Sequence, residues 1–275
     1  MPTLFYALFV TSENHQTRST SVSPVRVGVV DMAGCYGGGL NSETDIDILG
    51  DYNDYNIDIS MYRGNPNIKS NSLSITAVKK DGTEIPLFNK SNANFSDTKK
   101  LSRLLSAQDL TINDIGHINV CVYDEHDGGC GSYSKAIIEG VPIVWAGDSE
   151  ESTAPAPENI NQIYAVDGNT LTMETDIDDE YQDYLFEIDM APHNRVAGDG
   201  YQGTSIAINA HLKGGLGTVT LYSKQTRYVS CTKHLSTMLM EKGINRSDVD
   251  YIESYAWTQR GGLGARTKVI AYKVR

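Results

Sequence analysis

The feature that most constrains this chain is a sequence it carries twice. Glu43-Thr44-Asp45-Ile46-Asp47 returns letter for letter as Glu174-Thr175-Asp176-Ile177-Asp178, about 130 residues later. The residues that follow return in the same order: Tyr52, Asp54, Tyr55, Ile59 and Met61 answer to Tyr181, Asp183, Tyr184, Ile188 and Met190. Farther on, Thr98, Lys99, Leu101, Ser102, Leu105, Asp114 and Ile118 answer to Thr232, Lys233, Leu235, Ser236, Leu239, Asp248 and Ile252. A third block sets Gly128, Gly129 and Gly131 against Gly261, Gly262 and Gly264. Blocks that recur in one order point to a duplicated structural unit. At 275 residues there is room for two domains of roughly 120 residues, each able to bury its own core.

The repeat sets the expected organisation. Residues 1–23 have no counterpart and read as an N-terminal arm; 24–146 form repeat domain 1, 147–158 an acidic linker with two prolines, and 159–275 repeat domain 2. Within each copy, Asp45/Asp47 alternate with Ile46/Ile48, and Ile57-Asp58-Ile59-Ser60-Met61 alternates again, the period of half-buried strands. Lys80-Asp81-Gly82-Thr83 lies between two alternating runs and predicts a hairpin; Lys213-Gly214-Gly215-Leu216-Gly217 stands in its place in copy two. Leu101, Leu104 and Leu105, and likewise Leu235, Met238 and Leu239, mark one apolar helix face, with Ser96 or Asp97, and Ser230, as expected caps. The fold class is therefore α+β or mainly β. It is a tandem duplication of a β-sandwich-like unit with one flanking helix per copy, the copies related by a pseudo-two-fold. The order is not βαβαβ, which removes support for the nucleotide crevices of parallel sheets.

Composition excludes several functions. The net charge of −12, without a run of Lys or Arg, argues against a nucleic-acid surface. The apolar run Leu4–Val10 is too short for a membrane span and lacks the basic flank of a secretory signal. The chain is thus expected in a virion or the cytoplasm, with no membrane span. Cys35, Cys121, Cys130 and Cys231 occupy positions the copies do not share, so free thiols are expected. The glycine clusters at 37–39, 214–215 and 261–264 lack a following Lys-Ser or Lys-Thr and read as tight turns.

Three constellations carry chemistry. Asp45, Asp47, Asp176 and Asp178 offer the oxygen ligands that hard cations prefer, so Ca²⁺ is the one ion the sequence suggests; no other cofactor is expected. The competing reading is a solvated strand face, since the spacing matches no EF-hand loop. The loop around His126 and Cys130 could place a nucleophile beside a base, but copy two lacks both residues. In the stretch Val249–Trp257, Tyr251, Tyr255 and Trp257 alternate against Ile252, Ser254 and Ala256, and Tyr123 ends the equivalent face of copy one. Large amphipathic rings opposite a core face are what interfaces use.

The layout of a strand-rich unit with one helix resembles the domains of phage tail tubes and baseplate hubs, some of which are duplicated. That resemblance implies a ring- or tube-forming role. Asp45-Ile46-Asp47 and Ile57-Asp58-Ile59-Ser60 are similar to the strands of calcium-binding tellurite-resistance proteins, whose Gly-Asp-Asn and Asp-Asp-Glu ligand loop has no match here. The sequence-based expectation is a non-enzymatic assembly protein that forms a ring, tube or shell, in a virus or phage particle, with itself and other assembly proteins as partners. A duplicated Ca²⁺-binding module is the alternative, and an enzyme with its site in repeat 1 only is the second alternative.

Overall fold

Alternation of apolar and polar residues dominates the structure as it dominates the sequence. The structure is a computed structural model that describes residues 24–33, 40–63, 70–124, 133–143, 157–166, 168–192, 203–260 and 264–274. Copy one runs β1 (Val25–Ala33), β2 (Leu40–Asp47), β3 (Tyr52–Tyr62), β4 (Asn71–Lys79), β5 (Glu84–Ser91), β6 (Phe95–Lys100), α1 (Leu101–Ser106), β7 (Ile115–Asp124) and β8 (Tyr133–Pro142). Copy two runs β9 (Glu158–Val166), β10 (Thr170–Asp176), β11 (Asp183–Ala191), β12 (Thr204–Leu212), β13 (Thr218–Gln225), β14 (Tyr228–His234), α2 (Leu235–Glu241), β15 (Val249–Thr258) and β16 (Arg266–Val274).

Each copy is an eight-stranded antiparallel sandwich with the strand order of a jelly roll. Copy one sets β1-β8-β3-β6 against β2-β7-β4-β5; copy two sets β9-β16-β11-β14 against β10-β15-β12-β13. The correspondence holds even in irregularities. A register shift between Ile75 and Thr76 in β4 recurs between Ile208 and Asn209 in β12. It aligns Phe88 with Tyr222 and, two residues on, Lys90 with Lys224. The expected mainly-β duplicated sandwich with one helix per copy is what the described residues form.

The core is divided in the same way. Ile57, Ile59, Leu73, Ile118 and Ile138 are among the residues of one buried cluster drawn from copy one, and Phe186, Ile188, Ile206, Ile252 and Val269 among those of another drawn from copy two. The Asp81-Gly82 hairpin forms as expected, with Gly82 at φ 79, a conformation L side chains disfavour. The helices do not begin at the expected caps. Ser96, Asp97 and Ser230 lie in β6 and β14, which pair with β3 and β11. The helices start only at Leu101 and Leu235, after Lys100 and His234, neither of which caps with its side chain. Asp54 on β3 accepts instead from the Ser102 N–H at 3.0 Å and the Ser102 hydroxyl at 2.6 Å, and Asp183 on β11 does the same for Ser236 at 3.1 and 2.5 Å. The repeated Asp54/Asp183 thus ties each helix to its own sandwich.

The two sandwiches meet edge to edge. β2 pairs in parallel with β14, with Ser42 opposite Tyr228 and Ile46 opposite Thr232, so that β5-β4-β7-β2-β14-β11-β16-β9 is one eight-stranded sheet. β14 is the counterpart of β6, not of β2. A two-fold would therefore also pair β6 with β10. Among the described residues β6 pairs with β3 alone and β10 with β15 alone. The joint is head-to-tail, which corrects the pseudo-two-fold relation expected from the repeat: strand edges, not the sequence similarity of the copies, decide which surfaces meet.

Candidate functional site: the joint between the copies

Residues of β2 alternate between two environments, because successive side chains of a strand point to opposite faces. Ile46 enters the core of copy one. Glu43, Asp45 and Asp47 point the other way and are buried, at 3%, 2% and 7% exposure. Ionised carboxylates at such depth require partners, and copy two supplies them. Glu43 is bridged by Lys224 at 2.6 Å and by Arg227 at 2.8 Å. Asp45 accepts from Asn119 at 2.7 Å and from the Tyr222 hydroxyl at 3.1 Å, with Lys224 at 3.7 Å. Asp47 takes the Lys233 ammonium through one oxygen and the His234 N–H, at 2.6 Å, through the other. Lys233 is itself buried, at 1% exposure.

The electrostatics follow from this packing. Burial alone would raise the Asp45 carboxyl, yet Lys224, Lys233 and His117, with the Asn119 hydrogen bond, hold it below its ordinary value. Burial would lower Lys233 and Lys224; the carboxylates around them, Asp47 and Asp45 for the first, Asp45 and Glu43 for the second, hold both above theirs. Charges of both signs are thus kept ionised in a site poor in water. Two further contacts close the joint. The Thr44 hydroxyl donates to the Ser230 carbonyl at 2.8 Å, and Glu241 at the end of α2 meets His117 on β7 at 2.5 Å. That approach depends on Gly116, where a Cβ would lie 2.7 Å from the Glu241 carboxylate.

Copy two repeats the pentapeptide without the partners. Glu174 and Asp176 on β10 are exposed, and Asp178, beyond the strand end, accepts from the Glu180 N–H at 2.9 Å. The four carboxylates read as ligand candidates are therefore split. Asp45 and Asp47 are occupied by side-chain cations, whereas Asp176 lies exposed at the end of β10 and Asp178 half-buried beyond it. Among the described residues no group of three or more metal-ligating side chains converges. Of the aromatic candidates, Tyr251, Tyr255 and Trp257 are half-buried on β15, with Tyr251 stacked on His211 at 4.3 Å, and Tyr123 holds the matching place on β7. His126 and Cys130 lie outside the described residues, as do Cys35, the arm 1–23 and most of the linker 147–158. Cys121 and Cys231 carry free thiols, pushed up by burial to about 11 and about 12, which leaves them poor nucleophiles.

Sequence reasoning missed Lys224, Arg227, Lys233 and Tyr222, the residues that complete the site. One signal was available: Lys90 and Lys99 recur as Lys224 and Lys233, so the copies repeat cations as faithfully as carboxylates.

No protein-family model matches the chain, and no curated protein sequence matches it. Solved structures overlap it only weakly. A protein from Parabacteroides distasonis ATCC 8503 is 12% identical with a TM-score of 0.23, over 93% of this chain and 91% of the other. PNGase F, a glycosylasparaginase from Flavobacterium meningosepticum, is 9% identical with a TM-score of 0.23, over 90% and 96%. The infectious bursal disease virus VP2 subviral particle protein is 10% identical with a TM-score of 0.24, over 93% and 73%. Overlaps of this size carry no argument about function.

Proposed function

We propose that the protein is a non-enzymatic structural component that assembles with copies of itself, and with other assembly proteins, into a ring, tube or shell, in a virus or phage particle. The observation that carries this reading is the joint itself. Two complete jelly rolls, each with its own core, are joined through a shared sheet and buried ion pairs. A fold that joins its own units edge to edge by strand pairing is equipped to extend the same way. The acidic pentapeptide, the best-preserved block of the repeat, serves that joint in copy one, where side-chain cations occupy its oxygens. This disfavours the Ca²⁺-module alternative. Among the described residues no helix is long and apolar enough to cross a membrane. Light scattering after size exclusion, together with negative-stain microscopy, tests the proposal. Concentration-dependent growth into regular particles is the expected result; a monomer up to the solubility limit, alone or mixed with the products of neighbouring genes, would overturn it.

A further inference from the structure

Among the described residues the internal joint uses one edge of each copy and leaves the counterparts of those two edges unpaired. Copy one contributes β2 and keeps β5/β6; copy two contributes β13/β14 and keeps β10. Among the described residues β10 and β6 are each paired on one side only. The unused edges are the counterparts of the two that already fit. We infer that β10 of one chain pairs in parallel with β6 of a second copy, repeating between molecules the joint that β2 and β14 make within one.

Three observations converge on this pairing. The first is charge. β10 presents Glu174 and Asp176, exposed, where β2 presents Glu43 and Asp45. The β5/β6 edge presents Lys90, exposed, and Lys99, half-buried, where copy two uses Lys224 and Lys233. The second is an unmet hydrogen bond. Among the described residues Thr175, at 3% exposure, has no partner for its hydroxyl, whereas its counterpart Thr44 donates to Ser230 across the joint. Ser96 is the counterpart of Ser230, so the second copy would bring its carbonyl to Thr175. A buried hydroxyl left without a partner is costly, and pairing removes that cost. The third is covering: the outer face of β7 meets α2 through His117, while the matching face of β15, with Tyr251 and Glu253, lies beside the open β10 edge.

Substitutions on both sides make this joint weaker than the internal one. Ala93 stands where Arg227 bridges Glu43, Asp97 replaces Cys231, Asp250 replaces Gly116, and Ala107 replaces Glu241. It has fewer ion pairs, and its β15 side carries two more acidic groups, Asp250 and Glu253, the latter in the place of Asn119, so it forms reversibly and is sensitive to salt. A head-to-tail contact closes into a ring when its rotation permits and otherwise extends as a filament; either follows from the same pairing.

The inference rests on the assembly reading above, and one set of measurements separates the two. The full-length protein, E174K/D176K and K90E/K99E are each followed by sedimentation velocity against concentration. The wild type is expected to assemble, each variant to remain monomeric, and an equimolar mixture of the two variants to regain assembly, because each reversed edge then meets its complement. Recovery in the mixture also shows that both variants are folded. Wild-type assembly that persists in each variant, or two monomeric variants that do not recover together, would overturn this pairing and leave the assembly reading standing. A wild type that stays monomeric throughout would overturn both.

Discussion

β2 and β10 carry the same Glu-Thr-Asp run in two different worlds. In β2 the carboxylates are buried and each meets a cation or a hydrogen-bond donor from copy two; in β10 Glu174 and Asp176 face solvent. The difference teaches that burial here is conferred by what lies alongside the strand, not by the strand's own sequence. It also teaches that the cost of a charge is set by its neighbour. An ion pair that is harmless at a surface becomes a dependency once both members are dry.

The sharpest way to break the comparison is to remove one buried partner. Lys233→Ala leaves Asp47 buried and uncompensated and should cost about 3–5 kcal/mol, read by chemical denaturation. Lys99→Ala, at the equivalent and partly solvated place, should cost about 0.5 kcal/mol or less. Equal costs would show that the two edges are not in different environments. Next in size are the cores, where the copies should behave alike: Leu105→Ala and Leu239→Ala should each cost about 2–5 kcal/mol. Because α2 also touches β7 through Glu241 and His117, Leu239→Ala should additionally loosen the joint, which hydrogen exchange along β7 would register. If the β7 amides exchange as in the wild type, α2 is not coupled to copy one.

A pH series sharpens the same contrast. Asp45 is held below its ordinary 3.8, so its contribution is present above that value and is lost as pH falls through the lowered one. Lys224 and Lys233 are held above their ordinary 10.5, so theirs is present below it and is lost as pH rises through the raised values. Thermal stability should hold between those limits and fall outside them. Asp45→Asn should lower the plateau and flatten the acid limb, while Asp176→Asn should leave the profile of the monomer in place. An acid limb that Asp45→Asn does not change would remove Asp45 from the joint.

Much of the fold was legible because it is periodic. Alternation marked β3, β4, β7 and their counterparts, Asp81-Gly82 marked a hairpin, and the spacing of Leu101, Leu104 and Leu105 marked a helix face that packs as read. β6 and β14 were not legible. Phe95-Ser96-Asp97-Thr98-Lys99-Lys100 is mostly exposed and polar, so its strand character comes from pairing with β3 and not from a buried stripe. The joint was invisible for a deeper reason. Glu43 to Asp47 and Glu174 to Asp178 are identical, as are Lys99 and Lys233, so no local window separates the paired copy from the open one. Only the chain topology, which brings β14 and not β6 to the side of β2, makes that choice.

The smallest expected effect compares two threonines. Thr44→Val loses the bond to Ser230 and should cost about 1 kcal/mol, whereas Thr175→Val removes a hydroxyl that has no partner among the described residues and should leave the monomer unchanged or slightly more stable. A clear loss of stability at Thr175, measured in dilute solution, would show that the hydroxyl is already satisfied.

The joint inside the chain is thus one half of a contact whose other half is presented outward. Hydrogen exchange measured across a range of protein concentrations tests it most directly, because it reads both edges at once. Amides of 42–46 are expected to be protected at every concentration, while those of 173–177 and 95–99 gain protection together as concentration rises. Protection that grows at neither edge, or at only one of the two, would contradict it.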